Sequence, residues 1–228
     1  MPIASSLYRL GNKGSCRYFL GQSANAASAK SLADSSGVFF IHVPKAAGMS
    51  VSSALYSGSQ IGHWRAEEIL YILGSLSFSS YKYITVVRNP FDRLYSAYRF
   101  LKRGGITPLD FLFSELRSDL FESFTPFVKH LHSSSLLRAQ LHFVSQFDFV
   151  SIGKSLCHLS VIGHAEQLNV FSSRVSRVAG QPLLIPRINS SPDSASYMRK
   201  AVYSRETAEL VREMYEFDFL SFGYSFDL

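Results

Sequence analysis

GVFFIHV (37–43) is the first long apolar run in the chain, and no polar alternation interrupts it. A continuous stretch rich in β-branched and aromatic residues predicts a strand buried on both faces, as in a parallel sheet. YKYITVV (81–87) reads the same way, and LSVIGH (159–164) supplies a third strand. Between the strands the period changes. SVSSALYSG (50–58) predicts a short helix, and RAEEILYILG (65–74) sets apolar residues at helical spacing with Gly74 as the stop. PFDRLYSAYRFLKRGG (90–105) is the clearest helix. Pro90 fits its first turn, Asp92 suits the positive end of its dipole, and Lys102, Arg103 and two glycines mark its end.

The segment 106–150 is rich in Phe, Leu and Ser and its helices are poorly delimited. A further helix is expected from Glu166 to Ala179, another over 196–215, and FDFLSFGYSFDL closes the chain. Residues 1–36, rich in Ser, Ala and Gly, read as a weakly structured arm, which leaves 37–228 as one domain. Strand–helix alternation implies an α/β fold with a parallel sheet covered by helices. Ligands of such sheets bind beyond the C-terminal ends of the strands, where Lys45 and Arg88 both lie.

Composition narrows the partners. With 46% hydrophobic residues among 228, the chain can build a large core. A net charge of +6 and a pI near 9.3 fit an anionic ligand. No run of five basic residues and no aromatic–basic repeat occurs, so nucleic acid is not the expected partner. Cys16 and Cys157 make no disulfide framework. No stretch is apolar enough to span a membrane, and none has the form of a signal peptide, so a soluble cytoplasmic protein is expected.

Two strand ends carry the chemistry. After the first strand stands Pro44-Lys45-Ala46-Ala47-Gly48-Met49-Ser50. Gly48 lets backbone approach a ligand closely, and the amides of Gly48–Val51 open a helix toward an anion. Lys45 adds a compact charge and Ser50 a hydroxyl. The lysine precedes the glycine, the reverse of the Walker phosphate loop. After the second strand stands VVRNPFDRLYSAYRF, in which Arg88 ends the strand and Ser96, eight residues on, faces back toward it. An arginine fork with a hydroxyl makes a phosphate clamp.

Together, P-K-x-x-G-x-S and R-N-P-[FY]-D-R-L-x-S-x-Y resemble the PAPS-dependent sulfotransferases, and most of all the branch of carbohydrate sulfotransferases and related bacterial proteins. The resemblance runs from about residue 37 to the C-terminus, with looser matches at SVIGHAEQL, IPRINSS and YEFDFLSFGYS. It implies a three-layer P-loop-NTPase-like fold and a donor, PAPS, that leaves as 3′,5′-adenosine bisphosphate. It implies that Lys45, Ala47, Gly48, Met49, Ser50 and Val51 hold the 5′-phosphosulfate. Arg88 and Ser96 would hold the 3′-phosphate, with Asn189 and Ser190 near the nucleotide. The acceptor it implies is an alcohol, by resemblance a saccharide, and no metal is needed. This chain departs from the family loop in having Ala46 and Met49 where threonines are usual. The two lost hydroxyls bear first on donor affinity and second on activity.

Sulfuryl transfer to an alcohol needs a base. In IGHWRAEEI, His63 precedes a helix, lies between the two phosphate motifs and titrates near neutrality. Glu67, four residues on, is the second candidate, and would share a helical face with His63 if the helix began early. His42 reads as a packed histidine. His130, His132, His142, His158 and His164 show no metal-ligand spacing. Trp64 is a candidate to stack on a sugar, and Arg138, Arg187, Arg199 and Lys200 are candidates to line the pocket. Two other readings remain: a P-loop kinase, opposed by the motif order and by the lack of a Walker-type Asp, and a non-catalytic domain that binds a nucleotide or an anionic glycan.

Overall fold

The computed structural model describes residues 26–186, 188 and 200–228. In chain order the elements are α1 (Ala26–Ser36), β1 (Val38–Ile41), α2 (Gly48–Tyr56), α3 (Ala66–Ser80), β2 (Lys82–Val87) and α4 (Pro90–Lys102). Then come α5 (Pro108–Leu116), α6 (Phe124–Ser133), α7 (Ser135–Arg138), α8 (Gln146–Val150), β3 (Ser151–Ile152), β4 (Ser155–Leu156) and β5 (Val161–His164). The last helices are α9 (Leu168–Ala179), α10 (Arg205–Met214) and α11 (Glu216–Phe222).

Three strands form a parallel sheet in the order β1-β2-β5, with Phe40 opposite Ile84 and Thr85 opposite Ile162. Helices flank it. All four residues of β1 and five of the six in β2 are buried, as their unbroken apolar runs require. The outer side of β1 is closed by Tyr56, whose hydroxyl accepts from Phe40 N (3.1 Å) and donates to Val38 O (3.0 Å). That satisfies a strand edge that would otherwise stay open to pairing.

Two expectations change. Residues 26–36 form a helix, not an arm, because Ala29 and Ala33 pack their small side chains against the sheet core. Gly74 stops the first part of α3 as expected: it leaves helical backbone at φ 74° and ψ 162°, and a second short helical stretch runs on to Ser80. The sheet is joined by a small antiparallel hairpin, β3–β4, that the sequence pattern did not suggest. Among the described residues no helix is long and apolar enough to cross a membrane.

Helix α4 divides the interior. Phe91, Leu94, Tyr98 and Leu101 join a second apolar core with Phe127, Leu131, Val211 and Phe219, apart from the core around the sheet. Each large side chain buried this way contributes about 1.5–3 kcal/mol. The opposite stripe of α4 carries Arg93, Ser96 and Phe100, at the i, i+3, i+7 spacing of one helical face, and looks toward the end of β1.

Candidate functional site

Beyond β1 the chain turns sharply. Lys45 and Ala47 adopt left-handed backbone (φ 66° and 64°), and Ala47 is the residue on which α2 starts. For residues with a Cβ this costs roughly 1–2 kcal/mol each. Alternating left- and right-handed residues turn successive N–H groups into one concavity that binds anions. The amides of Ala46, Ala47 and Gly48 have no hydrogen-bond partner among the described residues. Those of Ser50 and Val51 point back to Ala47 O at 3.1 and 3.4 Å. The open amides thus begin two residues earlier than the Gly48–Val51 set expected from the sequence.

Gly48 has a different reason from the one expected. A Cβ there would lie 1.6 Å from His42 Nε2, so the buried His42 ring occupies the space that glycine leaves. Ser50 is buried, and its Oγ accepts from Ile188 N at 3.0 Å, which ties Ile188 to the first turn of α2. Asn189 and Ser190 lie outside the described residues, as do Arg187 and Arg199. Ala46 is 1% exposed and packs in the sheet core, whereas Met49 is 43% exposed on the first turn of α2. Of the two missing family hydroxyls, only the one at Met49 is at a position open to a ligand.

The cations gather around this turn. Lys45 Nζ lies 3.7 Å from the centre of the Phe100 ring, a cation–π contact. Burial lowers the Lys45 ammonium to about 8, with Arg88 and Arg103 pushing the same way and Asp110 opposing. The Arg88 guanidinium reaches Lys45 O at 3.5 Å. Its backbone is clamped by Gln146, which accepts from Arg88 N and donates to Arg88 O, both at 2.8 Å. Asn89 N donates to Glu166 Oε1 (2.9 Å), and Tyr224 donates to Glu166 Oε2 (3.0 Å). The Asp218 carboxylate accepts from Gln146 N and Phe147 N at 3.0 and 2.8 Å, and burial raises it to about 6 against the pull of Arg93. The closing segment of the chain therefore acts as scaffolding for the end of β2. Ser96 sits on the α4 stripe between Arg93, which touches Pro44, and Phe100, which touches Lys45.

On the other side stands His63. Its Nδ1 lies 2.9 Å from His42 O, and a carbonyl only accepts. Nδ1 therefore carries the proton and Nε2 the lone pair. Burial pulls His63 down to about 4, so it is neutral at working pH. The rings of His42 and His63 are 4.1 Å apart, and burial holds His42 well below the ordinary imidazole range. Glu67 does not join them. Helix α3 begins at Ala66, so His63 lies outside it, and Glu67 Oε1 accepts from Gly153 N (2.7 Å) in the β3–β4 turn. Trp64 is buried, lining an apolar hollow with Ala29, Phe39 and Ile69, so it is a core residue and not a stacking platform. Arg138 is spent on Leu131 O and His132 O at the end of α6, and Lys200 is exposed.

The sequence reading passed over several residues. Arg93 is fully buried, and its spacing with Ser96 and Phe100 was the signal available. Gln146 and Asp218 are brought in from remote segments and had no local signal. Nor had His142 and Asp110, whose Nε2 and Oδ1 meet at 2.9 Å next to Phe100. Among the described residues no group of three or more His, Cys, Asp or Glu is placed to hold a metal ion.

Residues 31–225 match a family model described as the sulfotransferase family. No curated protein and no solved structure matches the chain.

Proposed function

Because the chain belongs to the sulfotransferase family, we propose that it moves the sulfuryl group of PAPS to a hydroxyl of a carbohydrate. The observation that carries this reading is the anion turn: three successive unpaired amides, Ala46 to Gly48, in a left-handed alternation under the Lys45 ammonium and beside Arg88. PAPS fits such a site because its two separate anionic groups need two separate sets of donors. Lys45, the Ala46–Gly48 amides and Ser50 suit the 5′ end, and Arg88 with Ser96 suits the 3′-phosphate. In this reading the parallel sheet belongs to a P-loop-like three-layer arrangement, with the anion turn after its first strand.

The donor supplies an activated sulfuryl group and a phosphate leaving group. The chain supplies position and charge, which do most of the work in such transfers. Lys45 holds a positive charge where negative charge develops on the leaving phosphate. Arg88 fixes the far end of the nucleotide through a backbone that Gln146 clamps. An imidazole on the acceptor side takes the hydroxyl proton, and the lone pair of His63 Nε2 has the tautomer this role needs.

Calorimetry with 3′,5′-adenosine bisphosphate, set against ATP with magnesium, tests the donor class. The bisphosphate alone is expected to bind. Transfer of labelled sulfate from PAPS to a panel of saccharides, with mass spectrometry of the products, tests the reaction. Binding without transfer would make this a non-catalytic nucleotide-binding domain. Binding of ATP with magnesium alone would make it a kinase.

A further inference from the structure

His142 and Asp110 are 32 residues apart in sequence and meet beside the anion turn. Asp110 Oδ1 lies 2.9 Å from His142 Nε2, and the two side chains are only 14% and 12% exposed. The other carboxylate oxygen accepts from Thr107 N and Ile106 N at 3.0 and 3.3 Å, so Asp110 is held from three directions. Gly105 makes room for it: a Cβ there would lie 2.1 Å from Asp110 Cβ. An ionised carboxylate only accepts, so His142 Nε2 carries the proton and Nδ1 bears the lone pair.

That Nδ1 is buried and has no partner among the described residues. His42 Nδ1 is buried without a partner among the described residues as well, so it is the carboxylate on the other nitrogen that marks His142 out. Its location suggests what the lone pair is for. The His142 ring is 5.1 Å from the Phe100 ring, the same ring that carries the Lys45 ammonium at 3.7 Å. The charged and titratable groups that face His142 are Asp110 from α5, Lys45 from the anion turn, Arg93 from α4, and His63.

We propose that His142, oriented by Asp110, is the base that takes the proton of the acceptor hydroxyl, in preference to His63. The inference rests on the sulfuryl-transfer reading above. The acceptor O–H bond breaks with its proton passing to His142 Nδ1, and the acceptor oxygen forms its bond to sulfur. The sulfur–oxygen bond to the 5′-phosphate breaks with its electron pair leaving on 3′,5′-adenosine bisphosphate. Asp110 then faces an imidazolium and stabilises it.

The two imidazoles differ in just this respect. His63 Nδ1 donates to the carbonyl of His42, and burial brings His63 to about 4 although the charge of Asp110 opposes, whereas His142 has Asp110 as a direct hydrogen-bond partner. Burial, Lys45 and Arg93 also lower His142, but the hydrogen bond and charge of Asp110 oppose them. Against its own burial, the Asp110 carboxyl is held well below the ordinary range by His142 and Thr107, so it stays ionised throughout the working pH range.

The test uses the full chain, ¹⁵N-labelled, with long-range ¹H–¹⁵N correlation of the seven histidines through a pH titration. His142→Asn and His63→Asn assign the signals. His142 is expected in the Nε2–H form, protonating at a higher pH than His63, and Asp110→Asn lowers its midpoint. In transfer from PAPS to the saccharide panel, His142→Asn lowers kcat by about 10²-fold or more. Asp110→Asn gives a smaller loss and moves the acid limb of the kcat profile to lower pH. In both variants the affinity for 3′,5′-adenosine bisphosphate, measured by calorimetry, stays within about twofold, as expected of a base that acts only in the transition state.

A proton on His142 Nδ1, a midpoint below that of His63, or wild-type turnover in His142→Asn overturns the dyad while leaving the donor site intact. Wild-type protein that fails to bind the bisphosphate overturns the sulfuryl-transfer reading, and the dyad's role with it, whatever the tautomer.

Discussion

Arg93 Nε donates to Pro44 O at 3.0 Å, and this bond helps tie helix α4 to the turn that carries Lys45. The guanidinium is fully buried, one of its nitrogens has no partner among the described residues, and the Asp218 carboxylate is its electrostatic counterweight. Arg93→Met should therefore do two things. It should lower stability by about 1.5–3 kcal/mol, the scale of a hydrogen bond to a charged group. It should also loosen the anion turn and weaken bisphosphate binding. Urea unfolding and calorimetry read the two effects separately. A destabilised protein with unchanged affinity would make Arg93 a core residue and nothing more.

The Lys45 ammonium predicts how binding depends on pH. Burial, Arg88 and Arg103 bring it from 10.5 to about 8 in the free protein. An anion beside it favours the charged form, so binding should take up a proton above pH 8. Affinity should fall as pH rises past 8, by at most tenfold per unit for one group. Heats measured in buffers of different ionisation enthalpy should show that uptake at pH 8.5. The stability term has the opposite trend. The folded state holds fewer protons than the unfolded one between about 8 and 10.5, so this group's penalty on folding shrinks as pH rises through that window. An affinity flat from pH 7 to 9.5 would take Lys45 out of contact with the anion.

Arg88→Ala should weaken bisphosphate binding by about 1.5–3 kcal/mol. The fold should survive, because the Gln146 clamp grips the backbone of residue 88 and not its side chain. Adenosine 5′-phosphate, which lacks the 3′-phosphate, should lose far less affinity on the same substitution. Equal losses for the two nucleotides would assign Arg88 to the 5′ end instead.

The two departures from the family loop should behave differently when reversed. Met49→Thr places a hydroxyl on an exposed first turn, and should tighten binding by roughly 0.5–1.5 kcal/mol. Ala46→Thr adds two heavy atoms inside the sheet core, and should cost about 1–3 kcal/mol of stability with no gain in affinity. Thermal unfolding with and without the bisphosphate compares them. A gain from Ala46→Thr would mean that the turn rearranges on binding.

The legible parts of this protein were those written in local pattern. Unbroken apolar runs announced β1 and β2, because a strand buried on both faces cannot alternate. Pro90, Asp92 and the basic residues near 102 bounded α4, because they answer a helix's own end charges. Lys45 and Arg88 stand out for the same reason: each follows a strand end, where an α/β sheet can present a ligand loop. Local pattern failed where a partner came from far along the chain. The composition of 26–36 hides a helix whose buried residues are two alanines. Gly48 was read as clearance for a ligand, but His42 fills that clearance. Glu67 is the second candidate base in the sequence, and nothing local shows that its carboxylate accepts from the Gly153 amide, 86 residues away. His142 acquires meaning only when the packing of α5 sets Asp110 against it. Sequence alone determined that a lysine and an arginine follow the first two strands, since strand runs and the residues that end them are local pattern. Which imidazole stands beside a carboxylate was decided by tertiary structure, because charge and burial at a site depend on what is near in space, however far apart along the chain.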